Sequence, residues 1–189
     1  MRFIVVDGID GSGKSTVAEW IVQYYHSRGE SVMVQTHPSN RCAGRLARRF
    51  LQGDGIGMYI LSSAFYMLDV LASVSCLRQW KKVYDNVVFV RYLMGTAYLP
   101  KRYTKLAYDI FAGTLPIPER LLLVDAEPRM ALRRIASRRG EIEMFENLPA
   151  LTRVRDKMLD LSSDWEVLNN NGSETESRRR LEEILERWE

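Results

Sequence analysis

Residues 2–15 read RFIVVDGIDGSGKS. The first six are apolar and β-branched apart from Arg2 and the closing Asp7, the make-up of a buried strand. The next eight, Gly8–Ser15, fit the spacing GxxxxGK[ST], and from Ser15 to His26 the residues Val17, Trp20, Ile21, Tyr24 and Tyr25 recur at helical spacing. Strand, glycine loop and helix in that order form a cradle for phosphate. Gly8, Gly11 and Gly13 let the backbone turn its N–H groups onto an anion, and the helix beginning near Lys14 adds its positive end. Lys14 supplies a point charge for the β and γ phosphates of a nucleotide, and the Ser15 hydroxyl suits Mg²⁺, which prefers oxygen ligands. The expected nucleotide-binding set is Gly8, Asp10, Gly11, Ser12, Gly13, Lys14, Ser15 and Thr16.

Outward from this cradle, SVMVQT (31–36), NVVFVR (86–91), RLLLVD (120–125) and WEVL (165–168) read as four more strands. Their apolar runs lack alternation, as strands covered on both faces do, which implies a parallel sheet. Between them lie a basic helix near Gly44–Leu51, a long apolar helix over 58–77, a helical stretch over 129–160 interrupted at Gly140 and Pro149, and a closing amphipathic helix over 174–188. The expected fold is α/β, a three-layer P-loop NTPase fold with a five-stranded parallel sheet and a helical lid at about 136–150. The whole of 1–189 is expected to form one domain, with the ligand site beyond the C-terminal ends of the strands.

Composition narrows the function. At 189 residues, 46% hydrophobic and 27% charged, the chain has the make-up of one globular domain. Cys42, Cys76, His26 and His37 are too few for a Cys/His zinc cage or a disulfide framework, and Met1–Asp7 lacks the pattern of a secretory start, so a cytoplasmic setting is expected. The stretch MYILSSAFYMLDVLASVSCL (58–77) has membrane-spanning length. Asp69 at its middle would cost roughly 2.5–3.5 kcal/mol on insertion scales, so a helix buried in a soluble protein is the preferred reading. Net charge is only +3, yet 21 of the 27 basic residues are arginine, which favours small phosphorylated ligands over nucleic acid. Arg178–Arg180 reads as a solvated helix face balanced by Glu182, Glu183 and Glu186. Nucleotides are thus the expected partners, with neither nucleic acid nor membrane, and with a homodimer left open.

Several segments carry a family likeness. FIVVDGIDGSGKST (3–16) resembles the thymidylate kinase form of the P-loop, with Asp7 where the family has Glu and Asp10 at its acidic loop position. Val90-Arg91-Tyr92 resembles the family's DRY segment, and Gly95-Thr96-Ala97-Tyr98 a shortened form of the SxxAY that follows it. Residues 138–146, RRGEIEMFE, then Arg153-Val154-Arg155, resemble the lid and the RxR helix after it. The likeness runs from about residue 2 to 170. It implies a nucleoside monophosphate kinase that moves the γ-phosphoryl of ATP, with Mg²⁺, onto a monophosphate, dTMP being the default acceptor. It further implies that Lys14, Arg91, Asp10 and Arg139 are catalytic, with Arg138 beside Arg139 in the lid, since Gly11 stands where some members place a loop arginine. Arg48, Phe65, Asp69, Arg91, Tyr92 and Tyr98 are implied for substrate, and Ser15 and Asp10 for the metal.

Departures from the family pattern leave alternatives open. Phe65 falls where the family stacks the acceptor base, though a Phe in a long apolar helix is also ordinary core. Asp69 stands where the family reads the base with Arg; ionised aspartate only accepts hydrogen bonds, and the alternative is a helix carboxylate paired with a nearby arginine. Val90 replaces the Asp of DRY, and Met144 a lid arginine. Asp10 is preferred to Asp7 for supporting the metal, Asp7 being equally suited to orienting the loop, and His37 reads as a turn residue. A guanine-reading [NT]KxD is missing, which disfavours a GTPase. Two rivals remain: another P-loop small-molecule kinase, and a nucleotide-binding sensor or scaffold without turnover.

Overall fold

The structure, a computed structural model, describes residues 1–53, 55–118, 120–137 and 147–189, the side chain of Ile56 excepted. Five strands, β1 (Arg2–Asp7), β2 (Val32–Thr36), β3 (Asn86–Val90), β4 (Arg120–Asp125) and β5 (Glu166–Asn169), form one parallel sheet in the order β2-β3-β1-β4-β5. Among the described residues seven α-helices connect and cover them: α1 (Lys14–His26), α2 (Cys42–Leu51), α3 (Ile56–Val83), α4 (Lys101–Thr114), α5 (Pro128–Ala136), α6 (Leu148–Asp160) and α7 (Glu174–Arg187). The five strands and the α/β layering are those the sequence implies.

Alternate residues of each strand feed opposite layers. Ile4 and Val6 of β1, with Val88, Leu122 and Leu168, pack against Val17, Ile21 and Tyr25 of α1 and Leu181 and Leu185 of α7. Phe3 and Val5, with Phe89 and Leu123, pack against Val70 and Leu77 of α3, Ala131 of α5 and Leu151, Val154 and Met158 of α6. Both faces are therefore dry, which is why the strands read as unbroken apolar runs. β1 lies between β3 and β4: the chain leaves β1 toward β2 at one edge, and later passes from β3 across to β4 on the other side of β1. The crevice at its C-terminal end is the usual ligand position in such sheets.

Two elements go beyond the sequence reading: a 3₁₀ helix over Met94–Tyr98, and α4. α4 exposes Tyr103, Leu106 and Ile110, so its pattern lacks a clean polar face. α3 begins two residues before the expected 58–77 and ends six after it. By length and composition it could cross a membrane, but it lies along α2 and turns Ser62, Asp69, Val70, Ser73 and Leu77 into the protein. Asp69 is fully buried and hydrogen-bonded there, as suits a core helix. Of the expected lid, residues 138–146, and with them Arg138, Arg139 and Met144, lie outside the described residues.

Candidate active site

The glycine loop sits at the C-terminal end of β1 and enters α1 with Gly13 as its N-cap in the left-handed region, φ 94°. A Cβ on Gly13 would lie 2.5 Å from Asn170 Nδ2, and one on Gly11, φ 76°, would lie 2.3 Å from the Ala131 carbonyl oxygen of α5. These two glycines thus answer both to backbone conformation and to close approach. Asn170 Nδ2 and Arg134 Nη1 both donate to the Ser12 carbonyl, at 2.7 and 3.2 Å, fixing the loop from the far side of β4. The Ser12 hydroxyl is buried and has no hydrogen-bond partner among the described residues. Lys14 curls inside the loop, its Nζ donating to the carbonyls of Gly8 (2.8 Å) and Ile9 (2.6 Å). Ser15 and Thr16, in the first turn of α1, are exposed.

Asp7 and Asp10 divide the work that the sequence left open between them. One Asp7 oxygen accepts the backbone N–H groups of Tyr92, Leu93 and Met94 at 3.0, 3.1 and 3.2 Å, so Asp7 orients the chain that follows β3. Burial raises its pKa, against those amides and the nearby Lys14 charge. Asp10 is paired with the Arg91 guanidinium, accepts from the Tyr98 hydroxyl at 2.8 Å and lies 3.9 Å from Lys14 Nζ. The cradle and the end of β3 are thereby joined through a single carboxylate.

Arg91 follows β3 with φ 63°, a left-handed backbone that a side chain rarely adopts. Its neighbours hold it there. Its N–H donates to the Val6 carbonyl (3.0 Å), and its own carbonyl accepts from the Tyr66 hydroxyl (3.0 Å) and the His37 ring (2.9 Å). Tyr66 has its pKa pushed up by burial, which keeps that hydroxyl a donor. Because a carbonyl only accepts, His37 Nδ1 carries the proton and Nε2 faces the Ser73 hydroxyl at 2.8 Å. His37 is more than a turn residue: it is part of what aims Arg91.

Burial lowers the His37 pKa to about 4, against the opposing pull of Asp69. The unfolded chain, with His near 6.5, therefore binds the proton first as pH falls, and stability rises with pH between the two values. Acidifying from pH 7 to 4 is expected to cost about 3 kcal/mol through this group. His37→Asn, which keeps an amide donor, should lose that part of the slope. Chemical denaturation at both pH values checks it, and equal pH dependence in the two proteins would reject the assignment.

A cavity of about 360 Å³ is lined by Gly8, Asp10, Arg91 and Tyr98 and, from α3, by Tyr59, Ser63 and Tyr66. The structure thus brings Arg91, Asp10 and Tyr98 of the expected residues to one place with the loop. It sends four others elsewhere. The Phe65 ring stacks on Phe50, centroids 5.5 Å apart, instead of lining the cavity. Asp69 accepts from the Ser39 N–H at 2.6 Å and the Ser39 hydroxyl at 2.5 Å, with Arg41 at 3.8 Å, so the carboxylate-with-arginine alternative describes it. Arg48 donates to the Pro38 carbonyl (2.6 Å) and Asn40 (2.9 Å), bracing the same turn. Tyr92 lies in the core between Phe3 and Phe89, because the left-handed turn at Arg91 swings the next side chain inward. Arg155 forks onto Asp125 at 2.7 and 2.8 Å, tying α6 to the end of β4.

Tyr59, Ser63 and Tyr66 are among the cavity residues that the sequence reading misses. The signal was present: 59, 62, 63, 66 and 67 occupy one helical face. Phe65 and Asp69 belong to the face beside it, turned by one residue, or about 100°.

Comparison with known proteins agrees with this architecture. The family model for thymidylate kinase matches residues 6–181. The thymidylate kinase of Leptospira borgpetersenii is 31% identical over 163 residues, covering 81% of this chain and 77% of that protein. The probable thymidylate kinase of Archaeoglobus fulgidus is 26% identical over 189 residues, 97% and 90% of the two chains. That of Pyrococcus horikoshii is 27% identical over 174 residues, 85% and 82%.

Proposed function

The chain belongs to the thymidylate kinase family, and from that premise we propose that it transfers the γ-phosphoryl of ATP to the phosphate of dTMP. One observation supports this most: Arg91 and the nucleotide cradle line one cavity, with Asp10 bridging them. An acceptor phosphate is already anionic, so its attack needs no strong base; alignment and charge neutralisation suffice. Arg91 grips the acceptor phosphate, Lys14 moves from the loop carbonyls onto the transferring group, and Tyr98 and Asp10 keep Arg91 in line. Gly8, Gly11, Ser12, Gly13, Ser15 and Thr16 surround the donor phosphates, and Arg139 completes the neutralisation from a lid at about 136–150. A hydroxyl acceptor would instead call for a general base. Asp7 is bound by three amides, and Asp10 by a cation and a phenol, which disfavours that rival.

The family works with ATP, and Mg²⁺ fits the groups at hand. Ser15 presents an exposed hydroxyl at the start of α1, and Asp10 an oxygen donor able to act through water, a hard-oxygen set. When bound, the ion neutralises charge on the phosphates.

We further place the protein in the cytoplasm, as a single catalytic domain over 1–189 that pairs with a second copy through α3. Leu61, Ala64, Leu68 and Leu71 are exposed at alternating spacings of three and four, the seam of a helix pair, and an identical seam on a second chain is self-complementary. Sedimentation should give a dimer of the 21.9 kDa chain, and Leu68→Glu a monomer. A wild-type monomer at micromolar concentration would reject this pairing. For the reaction, ADP release and labelled dTDP should appear with ATP, magnesium and dTMP. ATP binding without transfer to any nucleoside monophosphate would favour a sensor instead.

A further inference from the structure

Behind Arg91 stands a chain of hydrogen bonds that leads away from the cavity. The Arg91 carbonyl accepts from the Tyr66 hydroxyl at 3.0 Å and from His37 Nδ1 at 2.9 Å, which uses both of its lone pairs. On the other side of the ring, His37 Nε2 lies 2.8 Å from the Ser73 hydroxyl of α3. Arg41, which precedes α2, donates from Nη1 to that same hydroxyl at 2.7 Å. His37 and Ser73 are fully buried. Arg41 is held in turn, since its Nη2 donates to Gln35 Oε1 at 3.2 Å and the Asp69 carboxylate lies 3.8 Å from Nη1. Neither Arg41 nor Ser73 lines the cavity.

We propose that Arg41 and Ser73 are positioning residues for the acceptor phosphate: through the His37 ring they hold Arg91 in its left-handed turn and so aim its guanidinium. This rests on the kinase reading above, in which Arg91 grips that phosphate, and deepens it. Every link has a direction. A guanidinium only donates, so Ser73 Oγ accepts from Arg41; a carbonyl only accepts, so the Nδ1 proton points at Arg91 and Nε2 is left a bare lone pair. The Ser73 proton has two acceptors in reach, Nε2 at 2.8 Å and the Asp69 carbonyl at 3.2 Å, and the ring is the nearer. With Arg41 donating into its oxygen, Ser73 is a stronger donor and a poorer acceptor, so it gives its proton to the ring. In the reverse sense an Nε2–H would crowd a second donor onto Ser73 and set the Nδ1 lone pair against the Arg91 carbonyl. The bond at Nδ1 matters because a side-chain-bearing residue at φ 63° stays there only while its surroundings outweigh the strain. Without that bond Tyr66 alone holds the carbonyl.

The test uses the full chain, with steady-state kinetics on ATP, magnesium and dTMP and nitrogen NMR of its isotope-labelled histidines. The sequence has only His26 and His37, so the His37 signal is the one that His37→Asn removes. Wild type should show a protected Nδ1–H on His37 at neutral pH. Ser73→Ala should expose that proton to exchange and lower kcat/KM for dTMP by about fivefold, the size of one neutral hydrogen bond, with the KM for ATP unchanged. Arg41→Met, on a residue nearer the surface, should act in the same direction. Arg41→Lys should restore both readouts, because Ser73 needs one N–H and not a planar fork. Combined with Arg91→Ala, Ser73→Ala should lower kcat/KM for dTMP no further, since the guanidinium it aims is gone. Wild-type kcat/KM for dTMP in both Ser73→Ala and Arg41→Met would overturn the proposal and leave the kinase reading intact. So would losses that add to those of Arg91→Ala, or that fall equally on ATP and dTMP as in a general loss of structure. A wild type that turned over no monophosphate would overturn both.

Discussion

Lys14→Ala is expected to reduce kcat by about a thousandfold. Removal of one neutral oxyanion donor from an active site costs about 10²–10³, and Lys14 offers a full charge to the transferring phosphoryl group, with the N-terminal dipole of α1 behind it. The ammonium now rests on the Gly8 and Ile9 carbonyls at 2.8 and 2.6 Å, in the throat of the loop. Substitution removes those bonds too, and an effect of about 1–2 kcal/mol on stability accompanies the kinetic loss. Lys14→Met, which keeps the apolar stem, separates the two. Its melting temperature should lie nearer wild type than that of Lys14→Ala, with kcat equally low. If steady-state kinetics of either variant stayed within tenfold of wild type, the phosphate-gripping role would be lost.

Arg91→Ala is expected to lower kcat/KM for the acceptor by about a hundredfold, with a much smaller change in the KM for ATP. Arg91→Lys should recover little, because a planar fork matched to phosphate is not replaced by a point charge. The backbone adds a second expectation. At φ 63° alanine keeps the left-handed penalty and glycine does not, so Arg91→Gly should be about 1 kcal/mol more stable than Arg91→Ala, with equally poor activity. Both variants leave Asp10 with Tyr98 and Lys14, so their difference isolates the backbone. Equal stability on urea denaturation would mean that the strain at Arg91 is not relieved by losing the side chain.

The parallel sheet was legible because its strands are short apolar runs covered on both faces, and the cradle because glycine spacing, a strand before and a helix after coincide. α4 was harder to see. Its exposed Tyr103, Leu106 and Ile110 blur the polar face by which a helix is recognised. The residues placed together were legible at Asp10 and Arg91, which follow strand ends in short loops, at Lys14, which opens α1, and at Tyr98, which closes the 3₁₀ helix after β3. The site was harder to read on α3, where apolar residues surround the whole helix and blur the face formed by 59, 62, 63, 66 and 67. A reading one residue out of phase chose Phe65 and Asp69 over Tyr66 and Ser63. The same limit applies to Tyr92, whose inward turn follows from the unusual φ of its neighbour.

Local sequence determined the cradle, the strands and the choice of a phosphate ligand, since these depend on residues a few positions apart whose conformations and charges act together. Only the tertiary structure decided that Asp10 would bind Arg91, 81 residues away, that His37 and Tyr66 would hold Arg91 in a left-handed turn, and which face of α3 would meet the cavity. These depend on how distant segments pack, and close packing selects one rotation of a helix from several that its own residues leave nearly equal in energy.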